Sequence, residues 1–201
     1  YVLVEPNAQP IIRHCNATFA AIVAHTRGLR PLFIVQDGGS SAAQLLKSYH
    51  PDAEIVSLAT WRYLSRLIPA LFRAVRAVRQ IRSTSALLEF TVDSIRFGDV
   101  VYDDILSKGY ATVSRIDFRT FRSLAAFYWY RSLILDIRRR YQIETSVFSH
   151  TIGINSGTFA RYLLEAGSET ITRLGSHQII LKKSRSLDEV KVYPIKPEPA
   201  Y

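Results

Sequence analysis

Apolar residues fall along this chain in short runs separated by longer stretches of helical spacing. Val2-Leu3-Val4 is the first run and stops at Glu5-Pro6, which reads as a buried strand and its exit. Asn7 offers a helix cap, and Pro10 suits a first turn, where its missing N–H is not needed. Ile11, Cys15, Thr18, Phe19 and Ile22 then keep helical spacing up to a stop at Gly28. Pro31-Leu32-Phe33-Ile34-Val35 is a second strand, broken by Asp37-Gly38-Gly39, after which Ser40 or Ser41 caps a helix to about Tyr49. A third strand covers Glu54 to Leu58, and Thr60 caps a long basic helix that runs toward Leu88. Farther on, Phe121, Leu124, Ala125, Tyr128 and Leu135 mark another long amphipathic helix, and Thr145 to Ser149 the next strand. A helix from Thr158 to Ala166 ends at Gly167, followed by weaker strands at Thr170-Ile171-Thr172 and Gln178 to Leu181.

Short apolar strands alternating with helices predict an α/β fold, a Rossmann-like parallel sheet with helices on both faces. In such sheets ligands sit beyond the carboxyl ends of the strands. That rule nominates Glu5, Asp37 to Gly39, the segment around Gly98 and His150 to Asn155 as one rim. Residues 1–185 are expected to form this domain. The proline-rich stretch from Tyr193 to Pro199 makes residues 186–201 a linker or the start of a second domain, with a disordered tail as the plainer alternative. An opening inside a strand at Tyr1 and the lack of any methionine suggest a piece of a longer protein.

Composition narrows the setting. At 48% hydrophobic and 21% charged residues the chain is ordinary globular material, and its single cysteine, Cys15, excludes an intramolecular disulfide or a cysteine-based zinc cluster. No apolar run reaches the roughly 18 residues that span a bilayer, and no signal peptide opens the chain, so a cytoplasmic location is expected. The net charge of +9 implies attraction to something anionic: nucleic acid, anionic lipid or phosphorylated substrate. The charge is concentrated between Thr60 and Leu88, where no acid occurs and Arg62, Arg66, Arg73 and Arg76 fall on one side of a helix. Trp61, Leu64, Leu67, Ile68, Leu71, Phe72 and Val75 supply apolar surface elsewhere on it. A basic amphipathic helix with Trp61 at its edge suits the surface of an anionic membrane. The alternative is an ordinary helix with solvated arginines. Nucleic acid is disfavoured because no recognisable binding module or aromatic stacking motif is present.

Two groups of residues carry candidate chemistry. In Gly98-Asp99-Val100-Val101-Tyr102-Asp103, the acids are spaced to share one face of a helix, where they can bind sugar hydroxyls or supply a base. The same residues also fit a loop and helix cap with solvated acids, as does the pair Asp103-Asp104. Ser149-His150-Thr151 ends a predicted strand, which aims a proton-accepting imidazole at the ligand crevice. Asn155, Ser156 and Gly157 follow where a helix amino terminus would offer N–H groups to an anion. Asp-x-Asp is absent from the sequence, so no metal is expected.

Together these residues resemble a family of bacterial capsule and surface-polysaccharide biosynthesis proteins. That family carries a Gly-(Asp or Ile)-apolar-apolar-Tyr-Asp segment, then some fifty residues later an apolar-Ser-His strand end, and a Gly and an Arg opening a helix. Here the matching residues are Gly98 to Asp103, Val147-Phe148-Ser149-His150, Gly157 and Arg161. Ser107 departs from the arginine usual at its position, and Gly153 from an aromatic residue. The resemblance implies the amino-terminal, acceptor-side half of a GT-B-like glycosyltransferase, moving a sugar from a nucleotide-sugar donor to a lipid-linked glycan at the inner face of the cell membrane, without a cofactor. It implies His150 as base with Asp99 as competitor, and substrate contacts from Gly98, Tyr102, Asp103, Thr151, Asn155, Gly157 and Arg161. A nicotinamide-dependent dehydrogenase fits the alternation but would need a Gly-rich turn where Glu5-Pro6-Asn7 stands. A non-catalytic, membrane-associated scaffold of a polysaccharide assembly complex is the other alternative.

Overall fold

The computed structural model describes residues 1–5, 10–36, 40–174 and 180–190. Along the chain the first half runs β1 (Val2–Val4), α1 (Pro10–Arg27), β2 (Pro31–Val35), α2 (Ser40–Tyr49), β3 (Glu54–Ser57), α3 (Trp61–Leu64), α4 (Leu67–Gln80) and α5 (Thr84–Leu88). A small hairpin, β4 (Thr91–Val92) and β5 (Ile95–Arg96), leads into α6 (Gly98–Leu106) and α7 (Phe118–Arg140). Then come β6 (Thr145–Phe148), α8 (Ile154–Glu165), β7 (Glu169–Leu174), β8 (Ile180–Ser184) and α9 (Leu187–Val190).

The main sheet has the order β3-β2-β1-β6-β7-β8, parallel throughout except that β8 runs antiparallel to β7. This is the expected Rossmann-like α/β architecture with one departure at its edge. Residues 175–179 between β7 and β8 are too few for the crossover that a parallel pair requires. Alternation along the strands sorts the core into two layers. Val2, Val4, Phe33 and Val35 face α1 and α2, whereas Leu3, Leu32, Ile34 and Val56 join the larger core built on α4 to α8. The order reverses between β1 and β6, and the crevice beyond their carboxyl ends is where a ligand is expected in such a sheet.

Several elements differ from the sequence expectation for identifiable reasons. Helix α1 buries Asn16, Ala17, Ala20, Val23 and Ala24, leaving Ile11, Cys15, Thr18 and Ile22 exposed. Its small side chains let the helix lie close on the sheet, which outweighs the larger apolar residues on the opposite side. The long helix expected from Thr60 is three helices. Thr60 turns its hydroxyl back to the Ser57 carbonyl instead of capping, and Pro69 in the first turn of α4 cannot continue a helix from α3. Ser83 then accepts from the Ala86 N–H at 3.1 Å and starts α5 afresh. The β4–β5 turn escapes sequence reading because Asp93 and Ser94, not glycines, hold its positive φ angles of 53° and 63°. Helix α8 begins at Ile154, ahead of the expected Thr158, because Gly153 at φ 85° turns the chain into it. The expected cap at Asn7, the break at Asp37 to Gly39, Gln178 and residues 191–201 of the expected linker lie outside the described residues. Within residues 186–190, Val190 of α9 is buried in the larger core.

Candidate active site

The reversal point is closed by a buried carboxylate. Glu5, at the end of β1, is 4% exposed and accepts from the Ser149 N–H (2.8 Å), Asn16 Nδ2 (2.8 Å) and Ser156 Oγ (2.7 Å). It thereby ties β1 to β6, α1 and α8. Of the residues nominated as a rim, Glu5 is thus spent on holding the crevice floor together. Asn16, which opens a glycosylation sequon, is buried in the same network.

The Gly98 segment is helix, not loop, and its parts divide by role. A Cβ on Gly98 would overlap the Leu87 and Leu88 carbonyls, so the glycine allows α6 to begin directly against the end of α5. On Gly157 a Cβ would stand 2.9 Å from the Thr151 carbonyl and 3.1 Å from Val100, so this glycine allows α8 to cross α6 closely. Both glycines are buried at helix contacts. Asp99 and Arg161 form a two-pronged ion pair, Nη1 to Oδ1 at 2.7 Å and Nη2 to Oδ2 at 2.6 Å. Burial works against the Asp99 charge, but hydrogen bonds from Arg161 and its charge outweigh that and hold the carboxyl below its ordinary range. Arg161 also donates to the Arg96 carbonyl and is 4% exposed. Two distant sequence motifs therefore meet as one packed joint between α6 and α8.

The open space lies beside that joint. A cleft of about 540 Å³ opens past the end of β6, and His150, Asp103 and Asn155 of the expected residues line it. Gly98, Asp99, Tyr102, Thr151, Gly157 and Arg161 do not line it. Tyr102 bonds instead to the Thr112 hydroxyl at 3.2 Å. Burial pushes the Asp103 carboxyl above its ordinary range, nearby Asp99 adds to the rise, and Arg161 opposes it. The imidazole of His150 is part-buried, and its Nδ1 has no hydrogen-bond partner among the described residues. Asp104 is neither a cap nor simply solvated: it accepts from Ser123 Oγ at 2.6 Å and pairs with Lys108 one turn on. Sequence reasoning missed Lys108, Arg122 and Tyr130, which also line the cleft. Arg122 and Tyr130 lie two helical turns apart on α7, a signal that could have been found only after α7 was placed against the end of β6. The cleft thus offers an imidazole, two carboxyls, an amide, a phenol and two cations, of which Lys108 is paired with Asp104. That is a set able to hold hydroxyl groups and to balance negative charge. Among the described residues no three His, Cys, Asp or Glu side chains converge as a metal ligand set.

The basic segment forms a second surface. Arg62 and Arg66, expected to face a membrane, both turn to the buried Asp136 of α7, at 3.0 and 2.8 Å, where Arg140 joins them at 3.2 Å. Helix α4 buries Ala70, Ala74 and Ala77 and exposes Ile68 (61%) and Phe72 (74%), as α3 does Trp61 (79%). Arg73 and Arg76 are exposed. Among the described residues no helix is long and apolar enough to cross a membrane.

Comparison of the chain with protein-family models, curated proteins and solved structures yields no match.

Proposed function

We propose that this chain is the acceptor-side domain of a GT-B-like glycosyltransferase that extends a lipid-linked glycan from a nucleotide-sugar donor in surface-polysaccharide synthesis. The observation that carries the reading is the meeting of His150, Asp103 and Asn155 in one cleft beyond the sheet's reversal point. A transferase of this class must remove a proton from an acceptor hydroxyl as its oxygen attacks the anomeric carbon and the nucleotide diphosphate leaves. His150 is the base in this reading: it takes the hydroxyl proton, while Asp103 and Asn155 orient the acceptor's other hydroxyls. Asp99, the competing candidate by sequence, is committed to Arg161. Asp103, with its raised carboxyl, takes over as the second choice. Arg122 supplies positive charge toward the leaving diphosphate, while Lys108 is paired with Asp104. The exposed apolar residues of α3 and α4, with Arg73 and Arg76, are the surface on which the domain rests against the anionic inner face of the membrane, where the acceptor's lipid is held.

The test is sugar transfer by the full-length gene product to lipid-linked glycans from a panel of nucleotide sugars, together with titration of this chain with the soluble glycans. His150→Ala is expected to lower transfer by about 100-fold or more while glycan binding persists. Unchanged transfer in that variant removes the base assignment, and a chain that binds no glycan at all overturns the acceptor-domain reading.

A further inference from the structure

A separate cleft of about 360 Å³ lies between α4 and α7, away from His150, and four arginines line it: Arg66, Arg73, Arg131 and Arg139. Their partners differ. Arg66 is held by Asp136 at 2.8 Å and by the Ser132 carbonyl at 3.1 Å. Arg131 grips Asp93 with two bonds, at 2.8 and 2.9 Å, and also donates to the Tyr162 hydroxyl. Arg73 and Arg139 form no hydrogen bond or ion pair with any described residue, although the charge of Arg73 reaches Asp93. Two guanidinium groups held in place beside two whose charge is uncommitted make a cavity that favours a compact anion with several acceptor oxygens.

The position of the cleft says where that anion comes from. At 100° per residue, Arg66 and Arg73 lie on one flank of α4, Ile68, Leu71 and Val75 on the other, and Phe72 and Arg76 on the crest between them. A flat surface meeting the crest touches Phe72 and Arg76 first, with Ile68 on one side and the long side chain of Arg73 within reach on the other. No acid occurs from Trp61 to Gln80, so nothing on α3 or α4 repels a negative surface. Large side chains stand exposed beside it while alanines are buried, the reverse of what a helix in water gains from.

We infer that the α4–α7 cleft binds the phosphate headgroup of an anionic phospholipid in a bilayer, with Arg73 and Arg139 as the contacting groups and the exposed apolar side of α3 and α4 in the acyl region. This rests on the membrane contact proposed above and adds a defined phosphate site to it.

The experiment is vesicle flotation of the full chain, using phosphatidylcholine alone and phosphatidylcholine with phosphatidylglycerol, alongside titration with inorganic phosphate and with duplex DNA. Preference for the anionic vesicles is expected. Each arginine near an anionic surface contributes about fivefold in binding, so R73Q/R139Q is expected to bind the anionic vesicles about 30-fold more weakly. Neither residue is in an ion pair, so the thermal unfolding midpoint of that variant should match the parent chain. Ile68→Ser with Phe72→Ser should reduce binding to the vesicles while leaving the response to inorganic phosphate intact. If the serine variant loses vesicle binding but R73Q/R139Q keeps it in full, the membrane contact stands and the phosphate site is overturned. If neither variant changes vesicle binding, both fall. Arginine-dependent binding of inorganic phosphate without vesicle binding, or tighter binding to DNA than to vesicles, overturns the lipid as occupant.

Discussion

Asp99 and Asp103 stand one turn apart on α6, and their neighbours separate them. Arg161 holds the first charged, and burial in the cleft wall raises the second. Their spacing, and the promise of Gly98 and Gly157, are legible in the sequence. Their roles are not, because Asp99 and Arg161 are 62 residues apart and only the crossing of α6 and α8 joins them. The ion pair makes a pH prediction. A carboxyl whose pKa is lowered by folding contributes stability above its unfolded pKa of about 4, and loses it as pH falls through the lower folded value. The parent chain should therefore lose this contribution only in acid, below the usual carboxylate range. In Asp99→Asn it should be absent at neutral pH, where the variant leaves a buried guanidinium without its counter-ion. Breaking a fully buried pair costs roughly 3–5 kcal/mol, and the partial exposure of Asp99 reduces the expected loss to about 2 kcal/mol. Urea denaturation at pH 7 and pH 3 checks both statements: the gap between parent and variant should narrow at the lower pH.

At the scale of elements, the acid-free run from Thr60 to Leu88 shows what periodicity conveys and what it hides. The arginine and apolar positions are visible in the sequence, but a continuous helix would have put Arg62 and Arg66 in solvent. The bend at Pro69 and the alanine side of α4 dock the segment on α7, where the two arginines find Asp136. That acid is seventy residues from Arg66, and nothing local marks it as their partner. Asp136 therefore fastens α3, α4 and the last turn of α7 together. Asp136→Asn leaves Arg62, Arg66 and Arg140 crowded without a negative charge and should cost about 3 kcal/mol. Hydrogen exchange locates the effect: α3 and the start of α4 should lose protection, whereas β1 and β6 should keep theirs. Equal loss in both regions would show that Asp136 supports the whole core and not this joint.

For the molecule as a whole, the sheet was the most legible part, because fully buried parallel strands must be short apolar runs and the sequence contains them. The antiparallel edge and the β4–β5 hairpin were not, since a reversal depends on connection length and a positive φ can be held by Asp93 and Ser94 as well as by glycine. The rule that ligands sit beyond the carboxyl ends of the strands pointed to the region where His150, Asp103 and Asn155 line a cleft. It could not tell the residues that face the cleft from those that hold it in shape. Glu5 belongs to the second kind, and the fold as a whole depends on it, because it links the strands on either side of the reversal point. Ser149, Asn16 and Ser156 all donate to Glu5, so Glu5→Ala leaves their buried N–H and O–H groups unmet, just past β6 and within α1 and α8. At about 1–3 kcal/mol for each such group, a loss of about 3 kcal/mol or more is expected. Glu5→Gln differs in a telling way. Its carbonyl can still accept from Ser149 and Asn16, and its amide can donate to Ser156, whose hydroxyl turns to accept. If hydrogen bonding is what matters at this position, Gln should cost about 1 kcal/mol. If the negative charge matters, Gln should fall as far as Ala, and chemical denaturation of the pair of variants distinguishes the two.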